Sequence, residues 1–345
     1  MTTKCLFVAS SIALSVASPA IAADDAALLK EALQIFRPLP KYANGPGTPL
    51  VEDQVALGRL LFFDPRITAD SDVSCATCHQ PALYGTDGRP TSIGVKQRPH
   101  PRNAPTIFNA ALFSIIHWRG DRSGLEDQAE QALTGAVSSG LDERDVTDRL
   151  WRIKGYGPLF AAAFPTDSPP MTVKNMAKAI VAYERTLLTP TPFDAYLAGN
   201  VDALSPAARS GLETFINTGC VACHNGVSVG GDTYRKFGIV EDYWLATGSR
   251  SIDKGRAEVI KNPDDLYVFR VPSLRNVAMT APYFHDGSVA TLPEAVKVMG
   301  RVQLGKKLRD AEISEIMSFL SSLTGDLPTE FTAPAVLTPA AAPQR

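Results

Sequence analysis

The feature that most constrains this chain is a five-residue pattern, Cys-x-x-Cys-His, that occurs at residues 75–79 and again at residues 220–224. Two thiols at this spacing can form thioethers with the vinyl groups on one edge of a porphyrin, and the adjacent histidine can bind the iron. Zinc would require a further pair of ligands nearby, and a redox dithiol would not require histidine in both copies. The pattern therefore predicts two covalently bound haem c groups, held by Cys75, Cys78, His79, Cys220, Cys223 and His224.

The N-terminal segment indicates export. Lys4 precedes an apolar run over residues 6–17, and residues 20–22 have the small-x-small pattern of a cleavage site. The run is too short to span a bilayer comfortably. We therefore expect residues 1–22 to be a cleaved signal peptide and the mature protein to be periplasmic. Cys5 leaves with the signal, so the four remaining cysteines are all used by haem and no disulfide is expected.

Composition and periodicity predict the fold class. The 345 residues suffice for two modest domains, and the formal net charge of −2 gives no basis for a nucleic-acid or membrane partner. Few segments alternate with a period of two, so we expect a mostly α fold with two cytochrome c-like haem domains and long irregular loops. Helices are predicted at residues 24–37, 55–63, 125–133, 143–154, 157–164, 171–187, 206–218, 292–299 and 309–323.

A weak internal repeat supports two related domains. Gly58 and Phe62 precede the first motif with the same helical spacing that Gly211 and Phe215 show before the second. Each pair predicts a helix that packs beside a haem. The expected organisation is a signal peptide at 1–22, a peroxidatic haem domain at 23–190, an electron-transfer haem domain at 191–327 and a mobile tail at 328–345.

Three sequence features together carry a family resemblance. They are the two attachment motifs, the Trp-containing stretch His-Trp-Arg-Gly-Asp-Arg at residues 117–122, and the run Pro-Tyr-Phe-His-Asp-Gly at residues 282–287. The chain resembles the bacterial di-haem cytochrome c peroxidases, which share a superfamily with MauG, a haem enzyme that oxidises a partner protein. The resemblance covers nearly the whole mature chain. It implies a homodimer that reduces hydrogen peroxide with electrons from a small soluble cytochrome c or cupredoxin.

The resemblance also implies roles for single residues. His79 matches the proximal ligand of the peroxide-reacting haem, and His224 matches that of the electron-accepting haem. Met299 matches the sixth ligand of the second haem, where MauG is said to use tyrosine. Trp118 matches the indole that lies between the two haems, and Gln128 matches a glutamine that orients bound peroxide.

Further residues are expected to bind calcium and the haem propionates. Asn103, through its side chain, and Thr280 and Pro282, through their carbonyl oxygens, match a calcium site between the domains, and such hard oxygen ligands suit Ca²⁺. Arg270 and Arg275 are candidate propionate partners because a guanidinium binds carboxylates in bidentate geometry.

The chain departs from the family pattern at two positions. Where many members carry a histidine that blocks the first iron, this chain has Val95, which predicts an open, high-spin first haem unless His100 substitutes. Where the family has a distal glutamate, the chain has Ser138, a poor general base. Glu143 is the nearest candidate replacement, and Glu130, His100 or an ordered water are the alternatives.

Three functions follow from these expectations. The first is a periplasmic peroxidase in which the first haem reacts with peroxide and the second relays electrons past Trp118. The second is a MauG-like enzyme that oxidises residues of a partner protein, which the missing glutamate favours and Met299 disfavours. The third is a non-enzymatic electron-transfer protein with two closed haems, which tight cyanide or peroxide binding by one haem would exclude.

Overall fold

The computed structural model describes residues 19–43 and 49–337. The predicted leader therefore lies mainly outside the described residues, as do residues 338–345 of the predicted tail. Within the described ranges the chain is mostly helical, which confirms the predicted class. The helices are α1 (Pro19–Ile35), α2 (Glu52–Phe63), α3 (Cys75–Cys78), α4 (Leu125–Thr134), α5 (Glu143–Arg152), α6 (Tyr156–Ala163), α7 (Val173–Glu184), α8 (Pro192–Leu197), α9 (Pro206–Thr218), α10 (Tyr243–Thr247), α11 (Ala257–Ile260), α12 (Leu292–Leu304) and α13 (Asp310–Ser321). A small antiparallel sheet joins β1 (Tyr234–Lys236) to β2 (Val268–Arg270).

Most predicted helices are present, with ends that differ by a few residues. The helix predicted at 206–218 is α9, whose first turn is capped by Ser205 as its hydroxyl accepts a hydrogen bond from the amide of Ala208 (3.1 Å). The helix predicted to end at residue 299 continues as α12 to Leu304 and stops at Gly305, whose φ of 63° favours glycine. Residues 80–109 contain no α-helix or strand and form one long irregular segment.

Each half contains a pair of crossing helices with almost touching backbones. A Cβ atom added to Gly58 on α2 would lie 1.8 Å from the carbonyl oxygen of Ala179 on α7. A Cβ atom added to Gly211 on α9 would lie 2.0 Å from the carbonyl oxygen of Glu315 on α13. Both glycines of the predicted repeat therefore permit a backbone approach that any side chain would prevent.

Each hydrophobic core includes an aromatic residue from the opposite end of the chain. Phe36, just after α1, packs in the second core with its ring centroid 5.2 Å from that of Phe193. Phe331, after α13, packs in the first core with its centroid 5.0 Å from that of Phe108. Arg59 holds the same C-terminal segment through an ion pair of 2.8 Å to Glu330. Phe331, in the segment predicted to be a mobile tail, is thus buried against the first core.

A buried polar network lies where the two halves meet. Asn109 and Asn276 each donate a side-chain amide hydrogen bond of 2.9 Å to the hydroxyl of Thr189. Both asparagines have φ of 61°, and each precedes a short 3₁₀ turn. The sequences around the two asparagines are also alike, since residues 104–112 and 271–279 share proline, asparagine and alanine at equivalent positions. The predicted boundary near residue 190 thus lies beside a hydrogen-bonded junction.

Candidate haem sites

The first attachment motif forms a single helical turn, α3, that leads directly to His79. Ser74 and Thr77 cap this turn reciprocally, and the hydroxyl of Thr77 accepts a 2.9 Å hydrogen bond from the amide of Ser74. Nδ1 of His79 lies 2.9 Å from the carbonyl oxygen of Gly85, which can only accept, so Nδ1 carries the proton and Nε2 keeps its lone pair. Burial lowers the pKa of His79, which favours the neutral, metal-binding imidazole.

The second motif repeats this arrangement. Nδ1 of His224 lies 3.3 Å from the carbonyl oxygen of Val229. Burial lowers the pKa of His224 to about 4, so its imidazole is neutral at physiological pH. Cys220 and Cys223 lie on the turn that follows Gly219, whose φ of 96° ends α9 and turns the chain into the motif. Both halves thus present an imidazole with a fixed tautomer beside two cysteines.

His79 faces a cavity of about 430 Å³ whose lining is rich in polar side chains. Gln128 on α4 and Ser138 after it line this cavity. Val95, by contrast, is fully buried and is not part of the lining. Other polar residues of the lining include His117, Arg122 and Glu184, for which the sequence predicted no role, and His100, an alternative ligand or base.

Glu184 at the end of α7 is a buried carboxyl group in the first cavity. Its Oε2 has no hydrogen-bond partner among the described residues. Burial raises the pKa of Glu184 to about 8, a shift that the neighbouring Arg185 reduces but does not cancel. Glu184 is therefore neutral at pH 7. The sequence of the helix did not predict that Glu184 lines the cavity, because only the tertiary packing brings α7 there.

His224 faces a second cavity of about 490 Å³ with a more apolar lining. Met299 on α12 lines it, and so do Leu292, Leu320 and Phe284. Tyr283 also lines it, although the sequence gave no tyrosine close to Met299. Its hydroxyl donates a 3.0 Å hydrogen bond to the carbonyl oxygen of Val277, and burial raises its pKa to about 12.

Trp118 and Arg270 line both cavities. The indole nitrogen of Trp118 donates a 2.9 Å hydrogen bond to the carbonyl oxygen of Asn103, and the amide of Arg270 donates one of 2.8 Å to the carbonyl oxygen of Trp118. The imidazole of His285 lies at 6.4 Å from the indole, centroid to centroid. The side chains that join the two cavities are thus held by main-chain hydrogen bonds.

Buried donors without partners test whether the cavities suit haem. Nη1 of Arg270, Nε of Arg122 and Nε2 of His285 are buried and have no hydrogen-bond partner among the described residues. Each belongs to a residue that lines one or both cavities. A buried, unpaired guanidinium is costly, and the anionic propionates of a haem would satisfy it. The residues present therefore fit a haem c group in each cavity.

Arg275 differs from Arg270 in this respect. It is almost fully buried, and its guanidinium makes a bidentate ion pair with Asp194 at 2.8 and 2.9 Å and a 2.7 Å hydrogen bond to the carbonyl oxygen of Val227. Burial alone would raise the pKa of Asp194, but the hydrogen bonds and charge of Arg275 outweigh it and hold that pKa below its ordinary value. The expected propionate contact is thus supported for Arg270 and not for Arg275, whose donors are used within the protein.

The three predicted calcium ligands line one cavity, whereas the predicted acid–base replacement, Glu143, does not line the first cavity. Asn103, Thr280 and Pro282 all line the second cavity. The main-chain amide of Asn103 donates a 2.8 Å hydrogen bond to the carbonyl oxygen of His285. Glu143 is exposed at the first position of α5 and is not among the residues that line the first cavity. Its negative charge there suits the positive end of the helix dipole.

Comparison with known proteins agrees with this geometry. A family model for di-haem cytochrome c peroxidase matches residues 52–202. The chain is 43% identical to cytochrome c551 peroxidase of Pseudomonas aeruginosa over 92% of each chain. It is 32% identical to the methylamine utilization protein MauG of Methylophilus methylotrophus, over 80% of this chain and 84% of that one. A MauG-like protein associated with microbial copper homeostasis has a similar structure, with a TM-score of 0.75 and 29% identity over 86% of this chain and 98% of that one. The chain therefore belongs to the di-haem cytochrome c peroxidase and MauG family and is an oxidoreductase of the peroxidase type.

Proposed function

We propose that the protein is an exported di-haem peroxidase that reduces hydrogen peroxide to water with electrons from a small soluble cytochrome c or cupredoxin. The observation that carries this proposal is the unequal lining of the two cavities that share Trp118. Polar side chains such as those of Gln128 and His117 line the cavity beside His79, whereas Met299 and a more apolar set of side chains line the cavity beside His224. The net reaction consumes two electrons and two protons for each peroxide and yields two waters.

In the first cavity the protein binds and orients peroxide. When bound, haem c supplies the iron at which peroxide is activated and the redox equivalents that reduce it. Gln128 donates a hydrogen bond from its amide to a peroxide oxygen and so fixes the direction of the O–O bond. Val95 and its neighbours leave the distal face open, because valine has no ligating atom and lies outside the lining. The resting protein is therefore expected to show a high-spin ferric signal.

In the second cavity the protein makes an electron-transfer centre. Met299 and His224 would hold the haem iron, and a thioether ligand would favour its reduced state and raise its potential. Tyr283 does not compete for this position, since its hydroxyl is bonded to Val277 and its pKa of about 12 keeps it protonated. A tyrosine held in this way favours peroxide reduction over the MauG-like alternative, in which tyrosine is the expected ligand.

Between the cavities, Trp118 carries or mediates the electron and Arg270 binds propionates. Trp118 and Arg270 line both cavities, the ring of His285 lies 6.4 Å from the indole, and Nη1 of Arg270 has no hydrogen-bond partner among the described residues. Asn103, Thr280 and Pro282 hold a calcium ion beside this path through one amide and two carbonyl oxygens. Such an ion would fix the loop that carries Asn103, and Trp118 is hydrogen-bonded to that residue. The homodimer implied by the resemblance remains a prediction, which light scattering of the mature protein tests.

One observation supports the MauG-like function, in which the enzyme oxidises a partner protein. Ser138 lines the first cavity where the family carries glutamate, and a weak proton-transfer site would slow peroxide turnover and favour oxidation of a partner protein. The two functions predict different products from the same oxidant. Peroxide reduction consumes a reduced donor, whereas the MauG-like reaction leaves oxidised side chains on a partner.

Steady-state kinetics with reduced cytochrome c or cupredoxin tests the proposal. We expect donor oxidation that depends on peroxide, with two donors consumed per peroxide, and a high-spin ferric haem that binds cyanide. Donor oxidation no faster than the background rate, together with rapid reaction of the protein with peroxide, would favour the MauG-like function. Two low-spin haems that bind neither cyanide nor peroxide would indicate a pure electron-transfer protein.

A further inference from the structure

His117 and Asp121 form a pair of titratable side chains at the first cavity. Both residues line it, together with Gln128 and His79. Nδ1 of His117 lies 3.3 Å from Oδ1 of Asp121. A histidine held by a carboxylate at one ring nitrogen is a common arrangement for proton transfer at the other nitrogen.

The local backbone holds the pair in place. His117 has φ of 65°, a left-handed conformation that is strained for a side chain of this size, and an antiparallel bridge between Ile116 and Arg122 closes the turn around it. Nε of Arg270 donates a 3.2 Å hydrogen bond to the carbonyl oxygen of His117. The position of the imidazole is therefore determined by the fold and does not depend on a flexible side chain alone.

Asp121 is itself fixed as an anion. Arg119 lies 3.1 Å and Arg122 3.4 Å from its Oδ2. Burial alone would raise the pKa of Asp121, but the hydrogen bonds and charges of His117 and Arg119 lower it far below its ordinary value. Asp121 thus attracts Nδ1–H of His117 and leaves Nε2 as the reactive nitrogen. Among the described residues Nε2 of His117 has no hydrogen-bond partner.

The other titratable groups near the cavity suit proton transfer less well. Glu184 is protonated at neutral pH and has no carboxylate or cationic partner to orient it. His100 has no paired carboxylate that would fix its tautomer, and its neighbours Pro99 and Pro101 restrict the backbone. Ser138 donates its hydroxyl to the carbonyl oxygen of Ala132 at 2.7 Å. Of these described histidine, glutamate and serine side chains, His117 alone combines a position in the lining with a carboxylate partner.

We propose that His117, oriented by Asp121, is the residue that moves the proton during peroxide cleavage in the first cavity; this deepens the proposed peroxidase function and rests on it. Nε2 takes the proton from the peroxide oxygen nearer the haem and delivers it to the far oxygen. The far oxygen leaves with the electron pair of the O–O bond and departs as water. Two electrons from the reduced donor and two protons from solvent convert the near oxygen into the second water.

Cyanide association tests this role without peroxide or donor. Hydrogen cyanide must lose its proton before the anion binds ferric haem, so the association rate depends on a nearby base. We expect His117→Phe to slow cyanide association at neutral pH by about 10²-fold, the lower end of what general acid–base catalysis contributes. Carbon monoxide carries no proton, so its association with the reduced protein is expected to change less than about twofold, which is a difference in barrier of well under ~1 kcal/mol.

Two further variants control for folding and for position. His117→Asn keeps a residue type that tolerates positive φ but cannot act as a base at neutral pH, and it is expected to slow cyanide association as much as His117→Phe. His100→Phe makes the same substitution at the other histidine of the lining and is expected to leave the cyanide rate within about twofold of the parent. Asp121→Asn retains the imidazole and is expected to give a smaller loss than His117→Asn.

Three results would overturn the proposal. The first is an unchanged cyanide rate in His117→Phe and His117→Asn. The second is an equal loss of carbon monoxide association, which would indicate blocked access. The third is a first haem that is low-spin in the resting parent protein and becomes high-spin in His117→Phe, which would make His117 an iron ligand. A cyanide rate that depends on His117 in a protein that does not turn over peroxide would leave the proton-transfer pair intact and refute the proposed peroxidase function.

Discussion

The two halves of this protein carry the same haem-attachment motif but differ in the side chains that line the cavity beside each motif histidine. In both halves a glycine permits two helices to cross at backbone contact, and in both the Nδ1 of the histidine points at a main-chain carbonyl oxygen. The first cavity then adds Gln128 and the His117–Asp121 pair, whereas the second adds Met299 and apolar side chains. The repeated elements therefore account for attachment, and the unrepeated segments account for chemistry.

The largest expected effect comes from removing the methionine sulfur that distinguishes the second cavity from the first. Met299→Ala removes the sulfur ligand and should lower the midpoint potential of the second haem, since a thioether favours the reduced state. Steady-state peroxide reduction is expected to fall close to background, while cyanide still binds the first haem. Redox titration and stopped-flow spectroscopy measure these effects. Met279→Ala, at an exposed methionine, is the matched control, and an unchanged spectrum and potential in Met299→Ala would contradict the asymmetry.

The next effect concerns the connection between the cavities. Trp118→Phe keeps an aromatic ring but removes the indole and its hydrogen bond to Asn103. We expect electron transfer between the haems, followed by rapid mixing of the half-reduced protein with peroxide, to slow by about tenfold or more, equivalent to ~1.4 kcal/mol of barrier. Trp151→Phe on the exposed face of α5 is the control. Equal rates in both variants would show that electrons do not pass the indole.

Stability measurements test whether the two helix crossings are equivalent. Gly58→Ala and Gly211→Ala each force a Cβ atom to within about 2 Å of a carbonyl oxygen, so each is expected to destabilise the fold by about 1–3 kcal/mol. Gly157→Ala on α6 has open space around the new atom and is expected to be neutral or slightly stabilising. Thermal or denaturant unfolding measures the difference. A loss of stability in only one of the two variants would show that the two helix crossings are not equivalent.

The smallest expected effect is a contrast in pH dependence. The raised pKa of Glu184 means that the folded state holds a proton that the unfolded state releases, so stability falls as pH rises from about 4.5 to about 8. The lowered pKa of Asp194 has the opposite sign, and its contribution is lost only as pH falls below about 3.8.

Glu184→Gln isolates the first of these contributions. We expect it to raise the melting temperature relative to the parent by a few degrees at about pH 8.5 and to change it little at about pH 5. Glu213→Gln, on the exposed face of α9, is the matched control and should show no such difference between the two pH values. An equal change at both values would mean that Glu184 is already ionised in the folded protein.

The sequence alone determined the attachment chemistry and the helical class. Both follow from local rules, since a Cys-x-x-Cys-His turn and an amphipathic or glycine-bearing helix depend on residues within a few positions of one another. The repeat of Gly58 and Gly211 was also readable, because it is a spacing. The assignments of Met299, Trp118 and Gln128 came from the family resemblance. In the structure Gln128 lines the first cavity, Met299 lines the second, and Trp118 lines both.

Only the tertiary structure decided which polar groups share a cavity and which domain each chain end joins. Glu143 was closer in sequence to the expected acid–base position than His117, yet it lies on an exposed helix start, whereas the turn at residues 116–122 brings His117 and Asp121 to the first cavity. Likewise, Phe331 enters the first core from the far end of the chain. Such contacts join residues that are distant in sequence, and the free energy that selects them comes from burial and pairing in the folded state, which no local pattern records.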